Sequence, residues 1–496
     1  MFEDHVRKEP LLREIFGDMT GEFVGEGSEF GELIFGPMTR QARYIHRHRA
    51  RGEAPVNGAQ VLSALPTLPG GRELLGLAAE REDVELVGGA VRDLLLGLTP
   101  RELDVVVAAD AATFASELAA RLELSTAAVE HERFGTARVE WEEGRIDIAT
   151  RRAESYPAPG ALPDVRLGTP EEDLRRRDFT VNAIAVPLGG VDRADRAEIG
   201  VRAVDHALAD LAAGRLRVLH ERSFLDDPTR LLRLTRYYAR LGFEIERHTA
   251  ELALEAVAAH ALDTVSGARL GAELRLVLAE PSAPYALLAM CTLKVLPGLH
   301  PWLRSESTLG STALILLPVE CRPDLLLLAS LLLVGALRAE GDPRAELGAF
   351  LDRMEFPAQD RDRVVAAVMA VPRLIEAMPR AGSPSALRDA VRGAPLEAVA
   401  LAGALEDMTL LGATKEAFIA ECRAGQRRGE QPVHRAARRW LDELRHVRLR
   451  ITGDDLLAAG VPEGPEIGRR LEQTLRRRLD GELPDEREAQ LAAALR

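Results

Sequence analysis

Lysine is nearly missing from this chain of 496 residues: Lys8, Lys294 and Lys415 are the only three, so almost all of its positive charge is arginine. A GC-rich genome is the ordinary source of such a bias. Arginine gains further meaning only where it clusters for bidentate contact with phosphate. Cysteine is equally scarce. Cys291, Cys321 and Cys422 are scattered, odd in number and form no CxxC pair. That argues against a disulfide framework or a zinc ribbon and fits a reducing cytoplasm, the expected location. Long apolar runs are absent too. The longest, Leu325 to Leu337, is too short for a bilayer and is flanked by Asp324 and Arg338, so no membrane partner is expected. The opening Met-Phe-Glu-Asp-His lacks the basic-then-apolar layout of a secretion signal. No fixed-period repeat emerges, so a helical solenoid array is not supported.

What is present describes a folded chain, with 46% apolar and 29% charged residues. A prior of about 150 residues per domain suggests roughly three folded units. The balance of 78 acids against 64 bases leaves a net charge of −14. Taken alone, that counts against a nucleic-acid partner. The charge is unevenly spread, however. From Arg423 to Arg450 nine arginines face only Glu430, Asp442 and Glu443, and Arg469, Arg470 and Arg476 to Arg478 follow. RNA docking depends on a local face, whereas total charge governs far-field steering.

Residues 1–57 differ from the rest, with a glycine-rich stretch (Gly21 to Gly36) and the basic aromatic piece Arg40 to Arg51. They are set apart as an N-terminal extension of unknown role. Strands and helices then alternate: strands at Val84 to Val87 and Leu103 to Val107, a Gly88-Gly89 turn, and helices over Ala90 to Leu96 and Ala111 to Leu122. Thr136 to Trp141 and Arg145 to Ala149 form a hairpin around Glu142 to Gly144. Beyond about residue 205 strand signals fade, and leucine- and alanine-rich helical segments continue to Arg496. The expected layout is an α/β head followed by a long helical region.

The chemistry concentrates in Leu86 to Val105. A strand entering Gly88-Gly89 at a helix start lets backbone N–H groups approach phosphate closely, since neither residue carries a Cβ. Glu102 and Asp104 follow; at i and i+2 of a strand they share a face and can hold hard cations such as Mg2+. Asp147, in Arg-Ile-Asp-Ile, can complete the cluster. Together these describe two-metal phosphoryl or nucleotidyl transfer. Each feature alone has a plainer explanation, a common turn or a solvated strand face. A dinucleotide fingerprint fits less well, because Gly88 to Asp93 is not GxGxxG. Two later segments add weight. Asp173 to Ala185 stacks Arg175, Arg176 and Arg177 before an apolar stretch. Leu219 to Phe243 opens a helix at Asp226-Asp227 with Pro228 as its first residue, and Arg230, Arg233 and Arg236 then recur along one side.

These segments, in this order, resemble the class II tRNA nucleotidyltransferase (CCA-adding enzyme) and bacterial poly(A) polymerase family, within the polymerase-β-like nucleotidyltransferase superfamily. The family pattern GGxVRDxLLG with a carboxylate pair is matched by Gly88 to Gly97 and Glu102/Asp104, RRDFTxNA by Arg176 to Ala183, and the ED-P-x-R element by Asp226 to Arg230. Val265 to Leu274 resembles the family's neck segment, and Ile451 to Val461 with Gly464 to Gly468 its tail. Two departures stand out: Glu102 where the family has aspartate, and Asp226 where it has glutamate.

The resemblance implies an α/β polymerase-β-like nucleotidyltransferase head followed by an all-α neck, body and tail, divided as 58–204 (catalytic head), 205–275 (neck, nucleobase recognition), 276–400 (body) and 401–496 (tail, tRNA binding). It implies attack by an RNA 3′-hydroxyl on the α-phosphorus of CTP or ATP, with two Mg2+ held by Glu102 and Asp104 and with Asp147 as the third carboxylate. Gly89 and Arg92 are then expected near the phosphates, Gly88 in the same nucleotide-binding set, with further positive charge from Arg177, Arg233 and Arg236. Asp227 accepts and Arg230 donates, which matches the amino donor and ring-nitrogen acceptor of cytosine and adenine. The implied partner is tRNA, through its 3′ end and acceptor/T arm. His131 to Val139 is similar to the HxxFGT form of tRNA enzymes rather than the Arg-Arg-Phe-Arg stretch of poly(A) polymerases. Poly(A) synthesis, and a non-catalytic RNA-binding protein on the same scaffold, are the alternatives. Whether C, CC, A or the whole CCA is added stays open, and the stretch Glu154 to Pro163 does not decide it.

Overall fold

The computed structural model describes residues 58–108, 110–124, 129–131, 135–189, 200–303, 307–406 and 432–496. The N-terminal extension, Phe134 of the HxxFGT stretch, Cys422 and Arg423, Arg427 and Arg428 lie outside them. The described chain divides into two compact units, one of residues 58–273 with 280–299 and one of 274–279 with 300–496. The expected head and residues 205–273 of the expected neck thus share a unit, together with 280–299 of the expected body.

The first unit is built on a mixed seven-stranded sheet in the order β3-β4-β5-β2-β1-β8-β9. Its strands are β1 (Val84–Val87), β2 (Leu103–Val107), β3 (Val129–His131), β4 (Thr136–Trp141), β5 (Gly144–Thr150), β8 (Ile184–Pro187) and β9 (Arg202–Ala203), while β6 (Arg152–Ser155) and β7 (Asp164–Leu167) form a separate hairpin. β2 runs parallel to β5, and the β1–β2, β1–β8 and β4–β5 pairs are antiparallel. Alternation sorts the side chains onto two faces. On one face, Ile146, Ile148, Val105 and Val139 are buried, and the helix Ala111–Arg121 packs on β4 and β5 with Phe114 fully buried. Asp110 caps that helix by accepting from the backbone N–H groups of Ala112 and Thr113. On the other face, Val87, Val106, Ala183, Ala185 and Leu174 make a smaller cluster. The positions beside it on β2 and β5 are Asp104 and Asp147.

Three local expectations change. Gly88 and Gly89 are the first residues of the helix Gly88–Leu95, not a turn before it. Glu102 lies one residue upstream of β2, so the i, i+2 strand argument does not hold it. Asp226 ends a short helix (Ser223–Asp226), and Pro228 is the N-cap, not the first residue, of the helix Thr229–Leu241. The helical region also contains a two-residue parallel pair, Arg215–Leu216 with Glu244–Ile245. Its glycine at 214 and short reach gave no alternating pattern to read.

The second unit is helical. The run Leu325 to Leu337 forms the helix Pro323–Leu337, buried from Leu325 to Ala336, so its uniform apolarity reflects a core position. Among the described residues no helix is long and apolar enough to cross a membrane. Ile451, Leu456, Val461 and Ala494 make a small core for the last helices. Many tail arginines are engaged within the protein: Arg450 with Asp485 at 2.8 Å, Arg476 with Asp389 at 2.6 Å, and Arg445 with Glu320. The apparent positive excess is therefore partly neutralised by acids distant in sequence.

Because Phe114 wedges the Ala111–Arg121 helix onto the strands that carry Asp147, Phe114→Ala is expected to destabilise the protein by about 3–5 kcal/mol. Chemical denaturation checks this; a loss under about 1 kcal/mol contradicts it.

Candidate active site

The sheet itself assembles the acids. Asp104 on β2 and Asp147 on β5 are direct register partners in a parallel pair, so both leave the sheet on the same face. Glu102 reaches the same place from the segment before β2. One carboxylate oxygen from each of the three lies within 4.8 Å of the others, and all three residues are half-buried. Such a set of hard oxygen donors fits Mg2+.

Desolvation pushes the Asp104 carboxyl up to about 6; Arg177 opposes the rise, Asp147 adds to it, and Arg92 opposes it again. Sequence reasoning missed two arginines that answer this crowding. Arg138, opposite Asp147 in the β4–β5 ladder, donates from Nε to Asp147 at 2.6 Å. Arg145, two residues before Asp147 and on the same face of β5, pairs with Glu102 and lies 3.4 Å from Asp147. A basic residue at i−2 of a strand acid was the available signal.

The glycine helix points its N-terminus into this crevice. Gly88 has φ +67°, and a Cβ there would fall 2.7 Å from Arg177 Nη1 and 3.7 Å from Asp104 Oδ2. At Gly89 it would fall 3.8 Å from the same Asp104 oxygen. The preceding Val87 offers no side-chain cap, so the first N–H groups of the helix are available to an anion. Arg177 pairs with Asp173 at 3.0 Å, and its buried Nε has no hydrogen-bond partner. Glycines 88 and 89, Arg177 and the three acids thus converge.

Arg92 borders this crevice, its Nη2 lying 3.5 Å from where a Gly89 Cβ would fall, whereas the other expected residues occupy a different setting. Arg92 is fully buried, donates to Asp93 at 2.7 Å and to Asn182, and lies 5.2 Å from the centre of the Tyr237 ring. Arg233 donates to Asp178 at 2.7 Å and Glu273 at 3.2 Å, and Arg236 to Glu273 at 3.4 Å. Burial works against ionisation of Asp178, but the Arg233 charge with hydrogen bonds from Asn182 and Arg233 holds it down at about 2. These arginines stand in ion pairs around Tyr237, an arrangement whose acids lie far away in sequence.

Asp227 and Arg230 lie just before and within the first turn of the Thr229–Leu241 helix. Asp227 accepts from the Thr229 N–H at 3.2 Å, from the Thr229 hydroxyl at 2.6 Å and from Arg269 at 2.9 Å, in each case through Oδ1. Arg269, which the sequence did not single out, also donates to the Gly160 carbonyl at 3.1 Å. Arg230 donates from Nη2 to the Arg176 carbonyl at 2.8 Å, while its buried Nη1 has no partner.

Comparison with known proteins gives a consistent picture. Residues 84–209 match the family described as the poly(A) polymerase head domain. An A-adding tRNA nucleotidyltransferase of Geobacter sulfurreducens is 32% identical over 490 residues, covering 91% of this chain and 52% of the relative. A CC-adding tRNA nucleotidyltransferase of Deinococcus radiodurans is 44% identical over 203 residues, 40% of this chain and 50% of that one. The chain spans about half the length of these curated relatives. Among solved structures, a Thermotoga maritima CCA-adding enzyme complexed with tRNA-CCA superposes with a TM-score of 0.62 at 27% identity, covering 86% of this chain and 94% of that one. A CCA-adding enzyme complexed with CTP gives 0.63 at 26%, covering 89% and 99%.

A cation entering the triad must displace the proton that Asp104 retains below pH 6. Mn2+ affinity, followed by electron paramagnetic resonance, is therefore expected to fall roughly tenfold per pH unit on acidification below about 6 and to level off above about 7. An affinity that stays flat across this range contradicts the assignment.

Proposed function

We propose that the chain is a member, through its head, of the tRNA nucleotidyltransferase and poly(A) polymerase family, to whose proteins it is similar, and that it is a template-independent tRNA nucleotidyltransferase. It would add C and/or A residues to the tRNA 3′ end from CTP and ATP, with release of pyrophosphate, in the cytoplasm. The observation that carries this reading is the carboxylate triad standing beside an uncapped glycine helix N-terminus.

Glu102 and Asp104 would hold two Mg2+, and Asp147 would complete the acidic set. Divalent cations held there would activate the attacking 3′-hydroxyl and neutralise the departing pyrophosphate. The N–H groups of Gly88 and Gly89 and the Arg177 guanidinium would receive the triphosphate, with bidentate contact favouring arginine. Arg92, Arg233 and Arg236, engaged in their own ion pairs, would support that charge from behind and fix the Thr229–Leu241 helix.

Base choice follows from what Asp227 and Arg230 have left over. Asp227 spends its intramolecular hydrogen bonds on Oδ1, and Arg230 keeps a buried Nη1 unpaired. An acceptor and a donor on one helix start complement the amino group and ring nitrogen of cytosine or adenine. Uracil and guanine present the reverse order, leaving buried polar groups unmatched, which can discriminate by roughly 10⁴-fold. The described tail arginines, such as Arg435 and Arg439, with Arg423, Arg427 and Arg428, would support the tRNA acceptor and T arm. The division into head (58–204), neck (205–275), body (276–400) and tail (401–496) serves as a functional map on this reading.

A-only addition is the second reading, favoured because similarity to the Geobacter sulfurreducens A-adding enzyme extends over 91% of this chain. Incubation with Mg2+, labelled CTP or ATP, and tRNA ending at the discriminator base or at CC separates the outcomes. Incorporation of both nucleotides marks full CCA addition, and ATP onto tRNA-CC alone marks A addition. Long A tails on unrelated RNA would indicate poly(A) synthesis. No incorporation of either nucleotide overturns the proposal.

Asp104→Ala is expected to lower transfer by at least ~10³-fold with the fold intact by circular dichroism. Asp227→Ala is expected to reduce the preference for CTP and ATP over UTP and GTP by ~10-fold or more. Unaltered selectivity would refute the role of Asp227 in base choice.

A further inference from the structure

Glu102 has a problem that Asp104 and Asp147 do not share. The β2–β5 ladder begins at Leu103 opposite Ile146, so no strand pairing fixes Glu102. Its side chain also has one more rotatable bond than aspartate, and therefore more freedom to lose on ordering. Yet its carboxylate stands within 4.8 Å of the other two acids.

The residue just upstream supplies an anchor. Arg101 donates from Nη1 and Nη2 to the two carboxylate oxygens of Glu280, at 3.1 and 2.7 Å. Arg101 is half exposed, but the Glu280 side chain is only 2% exposed. It lies between the helices Gly267–Leu278 and Ala283–Thr292. A carboxylate buried there requires a cationic partner. A fork-to-fork pair fixes direction as well as distance, and Arg101 therefore sets the path of the chain as it enters Glu102. The same carboxylate lies 3.9 Å from Arg236, which contacts Glu273; Glu273 contacts Arg233, and Arg233 contacts Asp178. Glu280 is thus where the segment before β2 meets the charged network around the Thr229–Leu241 helix.

We propose that Glu280 is a positioning residue which, through Arg101, fixes the backbone of Glu102 and thereby sets the affinity of the acidic triad for divalent cations. The proposal rests on the nucleotidyltransferase reading of that triad. Glu280 touches no reacting atom on this view. Its effect travels through one bidentate pair and one peptide unit.

The test titrates Mn2+ into the full-length protein by electron paramagnetic resonance, without nucleotide or RNA. Wild-type protein and Asp104→Ala come first: specific binding that Asp104→Ala abolishes supports the triad as a cation site. Absence of such binding in the wild type would overturn the underlying reading and this proposal with it. Glu280→Gln, which keeps the shape but not the charge, is expected to weaken Mn2+ binding roughly tenfold, the usual scale for residues that orient metal ligands. Arg101→Gln, at a half-exposed position, removes the same pair from the other side and guards against misfolding of the first variant. It should cause a similar loss, and the double variant should lose no more than either alone. A structural role alone would lower the melting temperature and leave Mn2+ affinity unchanged. Binding within twofold of wild type in either folded variant overturns the proposal while leaving the triad's own assignment standing.

Discussion

Three carboxylates crowded within 4.8 Å of one another repel, by roughly 3 kcal/mol for each ionised pair at an effective dielectric constant of about 20. The surrounding structure reads as a response to that repulsion. Arg138 and Arg145 come from the neighbouring strand positions and pair with Asp147 and Glu102. Arg177 and the open end of the Gly88–Leu95 helix add positive potential from above β1. Desolvation holds a proton on Asp104 at about pH 6. Each device lowers the cost of placing acids together before a cation enters, and none occupies every carboxylate oxygen.

The helix start proposed to read the base is arranged by a related constraint, arginines and acids packed together around one aromatic ring. Arg92, Arg233 and Arg236 surround Tyr237 with ring-centre distances of 5.2, 5.7 and 5.2 Å. Asp93, Asp178, Glu273 and Glu280 neutralise them. Removing one member of such a buried set leaves its partner charged and unpaired, which is far costlier than losing a surface pair. This network makes the start of the Thr229–Leu241 helix a fixed platform, and a fixed Asp227 and Arg230 are what the proposed rejection of a mismatched base edge requires.

Local patterns were legible in the sequence. The strand signals of β1, β2, β4 and β5, the helical spacing from Ala111 to Leu122 and the pairing of Gly88-Gly89 with later acids are short-range signals. They were enough to draw the head and bring together Glu102, Asp104 and Asp147. What stayed hidden involves partners remote along the chain. Arg101 and Glu280 are 179 residues apart and Arg233 and Asp178 are 55 apart, and neither acid stands out by composition. The same limit applies to charge. A cluster such as Arg445, Arg450 and Arg476 reads as a free basic face until Glu320, Asp485 and Asp389 are folded against it. Glu102 shows a finer limit: it stands beside Asp104 as expected, but from one residue before the strand, so the i, i+2 rule does not account for its place.

The most direct measurement is anomalous diffraction from crystals of the protein soaked with Mn2+ and a non-hydrolysable CTP analogue. Manganese is expected between the carboxylates of Glu102 and Asp104, with the triphosphate at Gly88 and Gly89 and the cytosine amino group at Asp227. Manganese bound elsewhere, or a triphosphate remote from the Gly88–Leu95 helix, would contradict the assignment of this crevice as the site of nucleotidyl transfer.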